Sequence, residues 1–257
     1  MSLRPVIPLI FLILCVNLCA LAEESAMPGF EYREMDYAGG HYMVVLVDVG
    51  QVDLRLFWKN DQGEAYKRFH TVAHALKDKD EQLRFAMNSG IYAKDYTPLG
   101  LHIEDGEILE PLNLKDGGGN FFLKPNGVFF VEDAKAGILG SDEYGQANKK
   151  PQLAVQSGPI LLEKGIMHPR FLKDSKSIHF RNGVGVLDDG RAAFVLSRWP
   201  VNFYRFASFF KDELKCQNAL YLDGSLSGIY LPEAGLTVQG DDYVGMLGVV
   251  VKKEEKS

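Results

Sequence analysis

The chain has 257 residues, 46% of them hydrophobic and 24% charged, with 28 Lys and Arg against 34 Asp and Glu and a formal net charge of −6. That length supports one sizeable core. The acidic balance, with no basic run before Lys252-Lys253, excludes a nucleic-acid binder, which needs clustered positive charge.

The first element is a leader. Arg4 precedes an apolar run from Val6 to Leu18, and Ala20-Leu21-Ala22 is followed at once by Glu23-Glu24. This order of basic start, apolar centre and small-x-small site predicts a secretory signal peptide over residues 1–22, cleaved after Ala22. The apolar run is shorter than the ~20 residues a membrane span requires. The expected mature chain, residues 23–257, is therefore periplasmic or secreted with no stable membrane span. It keeps Cys216 alone of the 3 cysteines, so it has no internal disulfide framework.

Hairpins follow in chain order. Tyr42–Val47 is an apolar, β-branched strand, and Leu54–Trp58 turns through Asp61-Gln62-Gly63. Val72 to Leu83 reads as a helix, and Leu83-Arg84-Phe85 leads into a strand ending at Asn88. Leu101–Glu104 and Ile108-Leu109 flank Asp105-Gly106; Phe121–Leu123 and Val128–Phe130 flank Pro125-Asn126-Gly127. Ile160–Leu162 turns through Lys164-Gly165, and Val184–Leu187 and Ala193–Leu196 flank Asp189-Gly190. Asn-Gly and Asp-Gly supply the positive φ angles of tight hairpin turns. Phe206, Phe210 and Leu214 recur at helical spacing behind Asn202 as N-cap, and the strand Ala219–Leu222 follows. The expected fold is α+β, a single domain with a β-rich mixed sheet, several hairpins and a few packed helices.

Four segments place small or polar residues directly against apolar strands, where a rigid scaffold presents functional groups. Asn88 stands at a strand end with Gly90 letting the backbone turn, and Tyr92 follows. Gln156, Ser157 and Gly158 interrupt a second apolar run, where a β-bulge explains the Gly-Pro pair equally well. In the third, Arg181 and Asn182 precede a strand; the planar guanidinium suits a phosphate or carboxylate. His179 lies two residues earlier and is an acid/base candidate or a structural histidine. In the fourth, Asp223 ends an apolar strand and Gly224, Ser225 and Ser227 follow. The spacing Gly224-Ser225-Leu226-Ser227-Gly228 fails the Gly-x-Ser-x-Gly elbow because Leu226 holds its centre. His70 and His74 have helical metal spacing without the Glu of a zincin.

Taken in order, Asn88-Ser89-Gly90-Ile91-Tyr92, Gly119-Asn120-Phe121-Phe122 with Lys124-Pro125-Asn126-Gly127, Gln156-Ser157-Gly158-Pro159, Arg181-Asn182-Gly183-Val184-Gly185 and Leu222-Asp223-Gly224-Ser225 resemble the phosphodiester glycosidase family, which includes the catalytic domain of the lysosomal uncovering enzyme. The resemblance runs from about Tyr42 to Val251 and is to short, exported bacterial members. It implies a hydrolase that cleaves a sugar-1-phosphodiester to free sugar and phosphomonoester, on a glycosyl-phosphate or envelope carbohydrate. Arg181 would clamp the phosphate, Asp223 would act as general base or nucleophile, and Asn88, Gln156, Ser157 and Ser225 would orient the substrate. Asp223 is also the candidate to hold a divalent cation bridging the phosphate. Ser89, Ser225 and Leu226 depart from the family's glycine-richer pattern and narrow the pocket. Two other readings use the same residues: a noncatalytic carbohydrate or envelope binding module with Tyr92, Tyr221 and Tyr230 as stacking platforms, and a structural envelope protein whose glycines only shape turns.

Overall fold

The computed structural model describes residues 27–224 and 226–253. The leader expected over residues 1–22 and the side chain of Ser225 lie outside the described residues. In chain order the strands open with β1 (Phe30–Tyr37), β2 (Gly40–Val47), β3 (Asp53–Phe57) and β4 (Glu81–Asn88), with helix α1 (Phe69–Lys77) before β4. Next come β5 (His102–Glu104), β6 (Glu107–Glu110), β7 (Gly127–Glu132), β8 (Lys135–Gly140), α2 (Ser141–Gln146), β9 (Leu153–Ser157), β10 (Ile160–Glu163) and β11 (Ile166–Met167). The chain closes with β12 (Asn182–Val186), β13 (Ala192–Ser197), α3 (Phe203–Ser208), β14 (Asn218–Asp223), β15 (Ile229–Leu231), β16 (Leu236–Val238) and β17 (Met246–Lys252).

Among the described residues the fold is mainly β, with 42% in strands and 3 α-helices. The strands form a seven-stranded sheet ordered β1-β2-β13-β12-β14-β10-β11 and two five-stranded sheets, β16-β15-β4-β17-β3 and β6-β5-β9-β7-β8. Every strand pairing among the described residues is antiparallel, so the expected mixed sheet is replaced by three antiparallel ones.

Both faces of the seven-stranded sheet are covered, and side-chain alternation shows how. Met43, Val45 and Val47 of β2 and Leu220 and Leu222 of β14 enter the core shared with the other two sheets. Their neighbours Tyr42, Val44, Leu46, Ala219 and Tyr221 enter a second core beneath α3. A strand with period-two side chains buried on both faces reads as a continuous apolar run. The glycines of β12 let α3 approach. A Cβ on Gly183 would stand 3.1 Å from the Phe206 ring of α3, and one on Gly185 would stand 2.7 Å from Phe210 Cδ1 in the turn that continues the helix.

Asn202 caps α3, accepting from the Arg205 amide at 2.9 Å, and the helix runs into a π-type turn over Phe209–Glu213. Two expectations change. The first helix stops at Lys77, because Asp80 takes a positive φ of 57° and turns the chain into β4 at Glu81. Phe121–Leu123 is no strand: Phe121 is buried as a loop residue whose carbonyl accepts from Asn126, and β7 instead turns through Asp133 and Ala134 to β8.

Candidate functional site

The ends of β4, β12 and β14 meet at one seam, and Asn182 holds it. Its amide donates to Asn88 Oδ1 at 2.8 Å and to the Asn88 carbonyl at 2.9 Å, while its Oδ1 accepts from the Asp223 amide at 2.7 Å. Asn88 Oδ1 also accepts from the Gly228 amide at 2.9 Å. Among the described residues the other half of the Asn88 amide, Nδ2, is buried with no hydrogen-bond partner, and the Tyr243 hydroxyl against Gly228 is in the same state. Native structures leave few buried polar groups unpaired, and each lost bond costs about 1–3 kcal/mol, so two at one seam mark a place where a polar ligand would bond.

Asp223 is partly exposed, yet its surroundings are poorly solvated. Desolvation raises its pKa from 3.8 to about 6, opposed only by the bond it accepts from the Gly224 amide at 2.5 Å. Its charge is felt nearby: after burial, Asp223 is the next cause that raises the Tyr92 pKa, to about 12. Tyr92 itself donates to the Asp242 carbonyl at 2.5 Å.

Arg181 is 1% exposed. Its Nε donates to the Val201 carbonyl at 2.9 Å and one Nη to the Ser177 carbonyl at 3.0 Å. The guanidinium lies 3.6 Å above the Phe203 ring and 5.6 Å from that of Tyr221. Phe203 is in turn stacked on Phe171 at 4.8 Å, and Phe171 on His168 at 4.7 Å, so the platform is rigid. No carboxylate pairs with Arg181 among the described residues, and burial lowers its pKa. A buried cation without a counter-ion costs several kcal/mol, offset here in part by the ring faces. Arg181 and Asp223 thus sit at the ends of paired strands without spending their charges on each other.

The remaining sequence candidates divide. Gln156 is fully committed: Oε1 accepts from the Leu101 and Asn113 amides, and Nε2 donates to the Asn113 carbonyl and Ser141 Oγ. Ser157 donates to the Leu222 carbonyl at 2.8 Å and is 0% exposed. Both brace the loop and strand behind the seam, and neither has a group directed at a ligand. Gly158 is packed against Asn126 and the Phe121 carbonyl. Ser227 braces the turn after Asp223, donating to the Gly224 carbonyl at 2.6 Å, and Gly224 is kept small by the Tyr221 hydroxyl. His179 is exposed and pairs through its backbone with Val201. Tyr230 packs toward Phe69 of α1. Sequence reasoning missed Tyr243 and the Phe203 platform. Neither carries a local motif; their place follows from β17 and α3 packing beside β4 and β12.

No group of three or more His, Cys, Asp or Glu side chains able to hold a metal ion occurs among the described residues.

Residues 81–236 match the family model described as phosphodiester glycosidase. The chain is 40% identical over 196 residues to the Escherichia coli (strain K12) protein YigE, covering 76% of each chain. In fold it is similar to the catalytic domain of zebrafish N-acetylglucosamine-1-phosphodiester alpha-N-acetylglucosaminidase, auto-inhibited by its pro-peptide, with a TM-score of 0.61 and 17% identity over 88% of this chain and 84% of that one. A Synechocystis protein aligns with a TM-score of 0.55 and 15% identity, over 86% of this chain and 62% of the other. The chain belongs to the phosphodiester glycosidase family.

Proposed function

We propose that this protein is an exported hydrolase that cleaves a sugar-1-phosphodiester into free sugar and a phosphomonoester, with residues 1–22 as its removed leader and residues 23–257 as its catalytic domain. The observation that carries the reading is the buried Arg181 guanidinium, which has no acidic partner among the described residues, on a strand entrance paired with the strand end that holds the Asp223 carboxyl, whose pKa is raised. A phosphodiester supplies the missing anion. Arg181, fixed by two backbone carbonyls and a ring face, leaves its remaining donors for the phosphate oxygens.

Water attacks the anomeric carbon while Asp223 takes its proton, the bond from that carbon to the phosphate oxygen breaks, and the electron pair leaves with the phosphomonoester. Charge grows on the leaving group as the bond breaks, so a clamp already in place acts most strongly in the transition state. Asn88 Nδ2 and the Tyr243 hydroxyl, both unpartnered among the described residues, would hold sugar hydroxyls. Asn182 is a positioning residue that sets the Asn88 amide and the Asp223 backbone together.

The test is release of free sugar from a panel of sugar-1-phosphodiesters by the purified protein, with and without chelator, beside Asp223→Ala. Release abolished in the variant supports the reading, and loss with chelator would show that a cation takes part. Wild-type protein that binds a member of the panel but releases nothing from any would overturn hydrolysis in favour of a binding module.

A further inference from the structure

Four large apolar side chains stand exposed around Arg181: Leu172 at 67%, Ile178 at 50%, Phe180 at 49% and Trp199 at 55%. They form one rim. His179 bridges Val201, which places Ile178 and Phe180 alongside the segment from Trp199. The Asn202 amide donates to the carbonyls of Lys173 at 3.0 Å and Ser175 at 3.2 Å, tying the loop that carries Leu172 to the same segment. The Ser177 and Val201 carbonyls that hold Arg181 belong to these two strips, so the rim is continuous with the proposed phosphate clamp.

The rim is also basic, on a chain whose net charge is negative. Residues 168–181 contain Arg170, Lys173, Lys176 and Arg181 against the single acid Asp174. Arg170, Lys173 and Lys176 make no ion pair among the described residues. Glu34 and Asp36, the acids that reach His41 beside Trp199, are both met by that histidine, and Glu34 also by Arg198. Scattered exposed apolar residues need no explanation, but an apolar patch joined to unpaired cations and to an active site does. Trp, Phe and Ile beside Lys and Arg is the composition of a surface that rests in the headgroup layer of an anionic bilayer.

We propose that this rim docks on an anionic lipid membrane and that the substrate is a glycosyl phospholipid held there, its phosphate reaching Arg181 and its hydrocarbon remaining in the bilayer beneath Leu172, Ile178 and Phe180. The substrate half of the proposal rests on the function proposed above, while the docking half does not.

The test uses the full chain and two vesicles, phosphatidylcholine alone and phosphatidylcholine with phosphatidylglycerol. The protein has 2 tryptophans. Trp58 is 4% exposed and bonded to the Tyr96 carbonyl, so a blue shift on vesicle addition reports Trp199. Binding and a blue shift are expected with the anionic vesicle only, and Trp199→Phe should bind without the shift. Neutralising two surface cations with Lys173→Gln and Lys176→Gln should weaken binding about thirtyfold. Leu172→Asp should abolish it, whereas Ile166→Asp, at a 71% exposed site outside the rim, should not.

Leu172→Asp should also slow cleavage of a vesicle-borne glycosyl phospholipid at least tenfold while leaving a water-soluble methyl phosphodiester untouched. No binding to the anionic vesicle at low salt, or equal loss in Leu172→Asp and Ile166→Asp, would overturn the proposal, as would a Leu172-dependent dimer that covers the rim. The vesicle assay contains no scissile bond, so its result stands apart from whether the protein hydrolyses anything.

Discussion

Replacing Asp223 by Asn should make the protein more stable while abolishing its activity. The carboxyl's pKa rises from 3.8 to about 6 on folding because burial disfavours the charged form. Between those values the folded state binds more protons than the unfolded state, so stability falls as pH rises through that window and stays low above it. The full difference is worth ~3 kcal/mol at pH 7.5 and only ~0.5 kcal/mol at pH 4. Asn has the same shape and still accepts from the Gly224 amide through its oxygen. Urea unfolding at both pH values would therefore show an advantage of Asp223→Asn near 3 kcal/mol at pH 7.5, about 6–12 °C in Tm for a chain of this size, shrinking at pH 4. A variant no more stable than wild type at pH 7.5, or equally stabilised at both values, would refute the claim that this carboxylate is held at a cost. Groups kept against the stability of the fold are characteristic of functional sites.

If Asp223 must be ionised to accept a proton, kcat/KM should climb with pH through about 6; a rate at pH 5 about a tenth of the plateau is expected, and a flat profile from pH 5 to 8 would exclude it as base. Asn88→Asp keeps the acceptor used by Asn182 and Gly228 but converts the unpartnered donor into a second carboxylate oxygen near Asp223. Its acid limb should move to higher pH, read from the same rate profile. Asn202→Ala removes the cap of α3 and both ties to the 173–175 loop; about 1–2 kcal/mol of stability should be lost in denaturant titration, with a drop in kcat because Phe203 beneath Arg181 is the first residue of that helix.

The sequence displayed the hairpins whose turns carry glycine at positive φ, such as Asp105-Gly106 and Lys164-Gly165. It hid the β7–β8 turn, where Asp133 and Ala134 take positive φ without any glycine, and it made Phe121–Leu123 look like a strand because burial, not pairing, explains Phe121. At the site, Asn88, Arg181 and Asp223 were visible because each is a polar residue abutting an apolar run. That Gln156 is spent on Asn113, Leu101 and Ser141 could not be read, since its partners lie 15 to 55 residues away. Tyr243 was equally hidden: its hydroxyl reaches the seam only because β17 pairs with β4. Local sequence shows where a polar group leaves a strand, and only the folded chain shows whether that group is still free.

Freedom is the property that separates Arg181 from the arginines that pair with carboxylates. Arg55 is bonded to Glu81 and Asp53, Arg191 to Asp189, and both are partly exposed. Among the described residues, Arg181 is the one driven into the interior without an acid. Such a charge is unfavourable in the empty protein and becomes favourable when an anion arrives, so an anion should act as a folding ligand. A phosphomonoester product present at 100 times its Kd should stabilise the protein by about 2.7 kcal/mol, seen as a rise in Tm at fixed ionic strength with chloride as the control anion. Arg181→Gln keeps a planar, hydrogen-bonding side chain on the Phe203 ring while removing the charge; it should lose the phosphate-dependent rise. If phosphate stabilises both forms equally, the anion binds elsewhere and Arg181 is a structural cation, and the proposed clamp fails with it.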